Sequence, residues 1–328
     1  MSVVRTLLRL MPFAPLVAAI TALAAVDVGL FSVSPGPAKD VLPLIEVKGH
    51  PTYRPDAAML LTTVNLLRVD AFSAVRGWID PAIDVVPERA IVPPGQSEEE
   101  FDEIARSQMD QSKIAAVVLT LQRLTEYPDE HGAGALVQDV LDGSPADGKL
   151  FAGDLIVAVD DLPVEDVAQV SRAIRSTGGE RRLTLAIEAG GKERTVRVLP
   201  RHDPDEGRPI LGVILVETFP FEVTIGSGDI GGPSAGLMWA LGVYDLLTPG
   251  DLAGGRRIAG TGEIELDGTV GPIGGIEQKI VAAERAEAEV FLVPEANLEG
   301  ARAVAHDIEL IPVRTVAQAI RAIERGGS

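Results

Sequence analysis

The 328-residue sequence predicts a mixed α/β multidomain protein in which an apolar N-terminal segment precedes two folded units. Three observations carry that expectation. Residues 10–26 form an uncharged apolar run. Residues 126–200 read as short strands broken by turns, with one helix among them. From about residue 205 onward, apolar strand-like stretches alternate with longer helical ones.

The bulk numbers bound the function. A hydrophobic fraction of 46% is ample for packed cores. A net charge of −19 argues against nucleic acid as a partner, because phosphate binding needs a basic surface. With no cysteine, disulfides, thiol catalysis and cysteine-zinc sites are excluded. The four histidines, His50, His131, His202 and His306, are widely separated and lack zinc-ligand spacing, so neither metal nor cofactor is expected.

Arg5 and Arg9 precede the apolar run, Asp27 interrupts it, and Val28–Val33 continues it. Residues 10–33 are therefore expected to be a single membrane-crossing helix or a signal segment, after a short cytoplasmic N-terminus at 1–9. Ala22-Leu23-Ala24 fits a signal cleavage site, so a retained anchor and a cleaved signal both stand. Either way the body of the protein is expected outside the cell membrane.

Residues 34–125 are expected to form a separate exported region. Leu42–Val47 and Met59–Val64 read as extended. Ser97 and Glu100 fit a capping box that opens a helix over roughly Glu98–Leu124. Phe101, Ile104, Ala105 and Met109, then Ile114, Val117, Val118 and Leu121, keep helical spacing.

In 126–200, strands are expected at Ala135–Val140, Asp154–Val159, Leu183–Glu188 and Thr195–Leu199, with a helix over Val164–Ser176. Gly134-Ala135-Leu136-Val137, Gly143-Ser144-Pro145-Ala146 and Gly153–Val159, followed by that helix, together resemble a bacterial PDZ domain. That resemblance implies capture of an extended peptide or a polypeptide C-terminus by strand addition. It places the carboxylate loop near His131, Gly132, Gly134 and Ala135. A structural α+β domain is the plainer reading. Gly143–Lys149 also fits GxxxxGK, but Leu150 stands where a magnesium-binding hydroxyl is required, so a turn is expected and no ATPase.

Two residues in 205–328 carry chemistry. In Gly231-Gly232-Pro233-Ser234-Ala235-Gly236 a glycine-rich turn delivers Ser234 to the start of an apolar helix, where free N–H groups can stabilise an oxyanion. An N-cap serine is the plain alternative. Lys279 lies on a helix over Ile276–Ala288. At 100° per residue, Ile276, Ala282, Ala283 and Ala286 fall within about 60° of it, while Glu277, Glu284 and Arg285 lie away. A lysine aimed into a core must snorkel, pair or lose its proton, and desolvation lowers its pKa toward what a general base needs. A serine activated by a lysine is a variant of the Ser-His-Asp arrangement. Gly232–Gly236 also satisfies GxSxG, with His306 the only later histidine, and Gly226–Gly231 satisfies GxGxxG without repeated βαβ units.

Gly232–Gly236, Thr261-Gly262-Glu263-Ile264 with Gly268, and Gly271–Ile276 ending at Lys279 resemble the proteolytic domain of the Lon family. So do Ala282-Ala283 and Phe291–Pro294 with Asn297. The resemblance implies that Ser234 is the nucleophile, Lys279 the general base and Thr261 the hydroxyl that orients the lysine. Backbone amides of Gly232 and Ser234 would form the oxyanion hole. Many family members carry an acid where Gly231 stands here. The whole arrangement is similar to exported PDZ-Lon proteins of Gram-positive bacteria. It implies a membrane-tethered, ATP-independent serine endopeptidase acting on polypeptides and assembled as a homo-oligomer such as a hexamer. The alternative is a non-catalytic PDZ scaffold whose Lon-like domain only oligomerises.

Overall fold

The computed structural model describes residues 27–53, 57–121, 132–189, 191–204, 207–218 and 221–326. The fold opens with β1 (Asp27–Asp40), β2 (Ile45–Lys48) and β3 (Ala58–Asp70). Helix α1 (Ala71–Ile79), β4 (Asp84–Pro87) and the long helix α2 (Glu98–Leu119) follow. Next come β5 (Ala135–Val140), β6 (Leu155–Val159), β7 (Leu162–Pro163) and α3 (Val167–Ser176). Strands β8 (Leu183–Ala189), β9 (Lys192–Val198), β10 (Arg201–Asp203), β11 (Arg208–Ile210) and β12 (Val213–Glu217) complete that middle stretch. The last stretch holds β13 (Glu222–Ile225), α4 (Gly236–Leu247), β14 (Arg257–Gly260), β15 (Glu263–Ile264) and β16 (Val270–Gly271). It ends with α5 (Ile276–Arg285), β17 (Val290–Pro294), α6 (Leu298–Val304), β18 (Glu309–Val313) and α7 (Val316–Gly326).

One six-stranded sheet, ordered β18-β17-β14-β3-β1-β4, organises the larger unit. β3, β14, β17 and β18 run parallel, and β1 and β4 close the sheet antiparallel. Both faces are covered, so the strands are apolar on both sides. Met59, Leu61, Ile258 and Leu292 face the cluster built on α4, whereas Leu60, Ala259, Phe291 and Val293 face α5 and α6. The alternation is the period of two that a strand imposes. Helix α4 is buried along nearly its whole length, with Trp239 and Leu241 fully enclosed.

The expected domain boundaries need three corrections. Residues 27–121 are no separate exported region, because β1 and β3 are central strands of the same sheet as β14 and β17. Val28–Val33 is no continuation of a membrane segment. It lies in β1, where Phe31 and Val33 are buried and Leu30–Val33 pairs with both β3 and β4. The rest of the apolar segment, 10–26, and the N-terminal 1–9 lie outside the described residues. Among the described residues no helix is long and apolar enough to cross a membrane.

The smaller unit is inserted between the two halves of the larger one. Its main sheet runs β12-β5-β6-β8-β9 over its own core of Val137, Ile156, Val170, Leu185 and Ile187. It reaches Glu217 rather than ending at 200, because β12 pairs antiparallel with β5. The capping box forms as the sequence predicts, with Ser97 Oγ accepting from the Glu100 N–H at 3.2 Å and Glu100 accepting from the Ser97 N–H at 2.7 Å.

Candidate active site

The turn that carries Ser234 is fixed by its backbone. Gly232 has φ 82°, a region side-chain-bearing residues avoid, which lets the backbone swing into the 3₁₀ turn Pro233–Ala235 ahead of α4. The Ser234 carbonyl accepts from the Gly262 N–H at 2.8 Å and from Thr261 Oγ1 at 2.9 Å. The Pro233 carbonyl accepts from Ser112 Oγ of α2 at 3.0 Å. Ser234 is thus tied to β14's exit on one side and to α2 on the other.

Lys279 reaches the same point from α5. That helix starts at Gly275, whose left-handed φ of 67° is required twice over, since a Cβ there would stand 2.8 Å from Val64 Cγ1. The preceding loop is pinned by Asn297, which accepts from the Ile273 N–H and donates to the Ile273 carbonyl, each at 2.9 Å. Lys279 Nζ lies 2.7 Å from Ser234 Oγ and 2.9 Å from Thr261 Oγ1. The lysine is 3% exposed, and burial pushes its pKa down to about 7. No carboxylate pairs with it among the described residues. Without such a partner, desolvation favours the neutral amine.

The structure therefore brings Ser234, Lys279 and Thr261 together. A neutral Nζ can accept the Ser234 hydroxyl proton, while Thr261 holds the amine in line. One expected oxyanion donor is not available. The Gly232 N–H donates to the Ala105 carbonyl of α2 at 2.7 Å, because α2 packs directly over the turn. The Ser234 N–H is one of the first-turn donors that a helix leaves without a backbone acceptor.

Ser234 borders two depressions. A cleft of about 900 Å³ lies on one side, walled by Thr62–Leu66 of β3 and by Phe101, Ile104 and Ala105 of α2. A smaller one of about 290 Å³ lies between Glu263 and Pro272–Gly274. β14 pairs with β3 only over Ala58–Leu61, so beyond Leu61 that edge of β3 has no strand partner among the described residues. Phe101 and Ile104 keep the expected helical spacing, and both line the cleft, with Ile104 43% exposed. Nothing in the spacing distinguishes a core stripe from a cleft wall.

The peptide-binding loop expected at His131–Ala135 is corrected. His131 lies outside the described residues. Gly132 and Gly134 spend their N–H groups on the Thr218 and Glu165 carbonyls. Ala135 is fully buried in β5, whose edges are both occupied, by β6 and β12, leaving no room for another strand. Among the described residues the open edges of the sheet are β12 and, at its other end, β9. A groove of about 340 Å³ runs between β12 and α3, with Val213 and Leu215 facing Val167, Ser171 and Ile174. Arg208–Ile210 of β11 and the Leu211–Gly212 link close one end. The signal missed in the sequence is Ile210-Leu211-Gly212-Val213, an apolar link from β11 with a glycine at φ 75° that enters β12.

The other motifs fall away on geometry. Gly143–Lys149 is a turn followed by β6, and Lys149 Nζ donates to the Pro145 carbonyl at 2.6 Å. His306 is exposed beside Glu284, and Ser234 has Lys279 as its partner instead. Gly226–Gly231 joins β13 to the Ser234 turn, with no helix opening directly after it.

Parts of both units are similar to known proteins. Residues 221–324 match the family described as the Lon protease (S16) C-terminal proteolytic domain, and residues 136–187 match the PDZ domain family. The C-terminal stretch is thus similar to a Lon-type proteolytic domain. Lon protease of Roseiflexus castenholzii is 46% identical over 66 residues, which are 20% of this sequence and 8% of that protein. Lon protease 2 of Bacillus subtilis is 38% identical over 92 residues, 27% of this sequence and 16% of that protein. The match thus spans a small fraction of the length of these relatives. The solved PDZ domain of the SdrC-like protein of Listeria innocua is 24% identical, covering 25% of this sequence and 92% of that domain at a TM-score of 0.24. The Lon-type match begins at Phe221, so the strands and α2 that complete its sheet and cleft from residues 27–121 lie outside it.

Proposed function

We propose that this protein is a membrane-tethered serine endopeptidase that cleaves polypeptides without ATP, using Ser234 as nucleophile and Lys279 as general base. The observation that carries the reading is Lys279 Nζ, buried without a carboxylate partner, 2.7 Å from Ser234 Oγ. Neutral Nζ takes the Ser234 proton as Oγ attacks the scissile carbonyl. The resulting ammonium then returns that proton to the leaving amine, giving an acyl-enzyme that water hydrolyses by the same relay. Thr261 accepts from Nζ and donates to the Ser234 carbonyl, which aligns base and nucleophile. The oxyanion is served by the Ser234 N–H, which lies at the positive end of the α4 dipole.

An extended substrate fits the unpaired edge of β3, which runs along the cleft into Ser234. The groove between β12 and α3 is the second polypeptide site of this reading. A peptide or a polypeptide C-terminus would add to β12 and place an apolar side chain among Val167, Ile174 and Leu215. ATP independence is supported by Leu150 in place of a magnesium-binding hydroxyl. Tethering, with the folded units on the extracytoplasmic side, is supported by the run 10–26 behind Arg5 and Arg9. A homo-oligomer belongs to the same proposal, and light scattering of the detergent-solubilised protein measures it.

The test is cleavage of an unfolded protein by the full-length protein, with and without ATP, beside Ser234→Ala and Lys279→Ala. Cleavage by the parent alone, unaffected by ATP, is the expected result. Cleavage that persists in both variants refutes the dyad, and no cleavage by any of the three favours the scaffold.

A further inference from the structure

Helix α1 is short, well formed and oddly apolar on its outside. Asp70 caps it, accepting from the Ser73 N–H at 2.8 Å, and Ala74 and Gly77 pack it against the sheet. The opposite side exposes Phe72 at 40%, Val75 at 49% and Ile79 at 78%, and Trp78, on the flank next to Ala74, is 66% exposed. Phe72, Val75 and Ile79 fall on one stripe at helical spacing, with Trp78 beside them and Arg76 at the margin. A cluster of this kind marks an interaction surface rather than ordinary scattered exposure.

Its place in the fold says what covers it. The first residue of β1, Asp27, pairs with Asp70, the N-cap of α1. Paired strand residues lie about 5 Å apart. The apolar run 10–26 therefore ends one residue before the backbone reaches the start of α1. Tethering through that run holds α1 at the membrane surface. An apolar stripe with a tryptophan and an arginine at its edge has the composition of a helix lying in the headgroup layer.

We propose that α1 docks on the lipid bilayer, with Phe72, Val75, Trp78 and Ile79 in the headgroup layer, so that the folded units sit against the membrane rather than swing from it. This rests on the tethering reading above. Docking fixes the height of the peptide groove and the cleft over the surface, and directs the enzyme to polypeptides near the membrane.

Of the two tryptophans in the protein, Trp239 is fully buried, so Trp78 reports alone on the surface. The full-length protein is reconstituted in phosphatidylcholine–phosphatidylglycerol vesicles carrying spin-labelled lipids, and flotation and tryptophan quenching are measured together. Flotation is expected, with quenching stronger from headgroup and carbon-5 labels than from carbon-12 labels. That quenching is expected to vanish in Trp78→Phe and in Val75→Glu/Ile79→Glu, both of which still float. Flotation without Trp78 quenching overturns docking and leaves tethering standing. A parent protein that does not float overturns both. Trp78 shielded by self-association in detergent, and unquenched by lipid labels, identifies a second copy as the occupant and also overturns the proposal.

Discussion

Lys279 Nζ lies 2.7 Å from Ser234 Oγ and 2.9 Å from Thr261 Oγ1, inside a site that leaves the lysine 3% exposed. Burial without a counter-charge makes the amine a base near neutral pH instead of a surface cation. Ser234→Ala and Lys279→Met are each expected to lower kcat/KM by about 10⁴-fold or more. Lys279→Arg is expected to be equally inactive, since a guanidinium stays protonated. Stability separates the lysine variants. The pKa of Lys279 is lowered in the fold, so the unfolded state binds its proton more readily between about pH 7 and 10.5. The parent gains stability as pH rises through that window. Lys279→Met should therefore melt higher than the parent at pH 7 and lose the advantage toward pH 10, read by thermal denaturation.

Thr261 touches both partners, accepting from Lys279 and donating to the Ser234 carbonyl. Thr261→Val keeps the shape and removes the hydroxyl. It is expected to lower kcat by about 10–100-fold with little change in KM, the size of loss that misplacement by a fraction of an ångström brings. Thr261→Ser should restore most of the rate, which a purely packing role for the methyl group would not allow.

Asp245 tests the core beneath the site. It is 1% exposed, its Oδ1 accepts from the Leu252 N–H at 2.9 Å, and burial raises its pKa to about 6. With the folded pKa above the unfolded one, the native state binds the extra proton, and stability falls as pH rises from about 4 to 6. Asp245→Asn keeps the acceptor and removes the charge. It is expected to stabilise the protein by about 2 kcal/mol above pH 6, and by nothing once pH falls below about 4. Denaturant titrations at pH 4 and pH 7.5 measure the difference.

The peptide groove makes a separable prediction. Ser171 stands between Val167 and Ile174 on the wall facing β12. Ser171→Phe should fill the groove and abolish binding of peptides with an apolar C-terminal residue, measured by fluorescence anisotropy. Hydrolysis of a short chromogenic peptide at Ser234 should be unchanged. Gly134→Ser, beside the strand whose edges are already paired, serves as a folding comparison only, because a Cβ there meets the Ile156 carbonyl at 2.9 Å.

Much of this site was legible because its signals are local. The Ser97 capping box, the small-residue face around Lys279 and the glycine turn before Ser234 each lie within a few residues, and each forms. What the sequence concealed is long-range. The strand Asp27–Asp40 continues an apolar run and reads as part of it, yet its partners are Ala58–Asp70 and Asp84–Pro87. No local pattern reveals that β3 lies beside β14 across nearly two hundred residues, or that Ala105 reaches the Gly232 amide. The peptide groove was misplaced for the same reason. Ala135 looks like an edge strand until β12, some eighty residues on, pairs with it.

The most direct measurement is the pH dependence of Ser234 acylation by a serine-reactive fluorophosphonate, with the adduct located by mass spectrometry. The rate should rise through an apparent pKa of about 7 and level off above it. Lys279→Met should show no such limb and almost no adduct. A rate in Lys279→Met equal to that of the parent, or a parent limb near the ordinary lysine pKa of 10.5, would contradict a Ser234–Lys279 dyad.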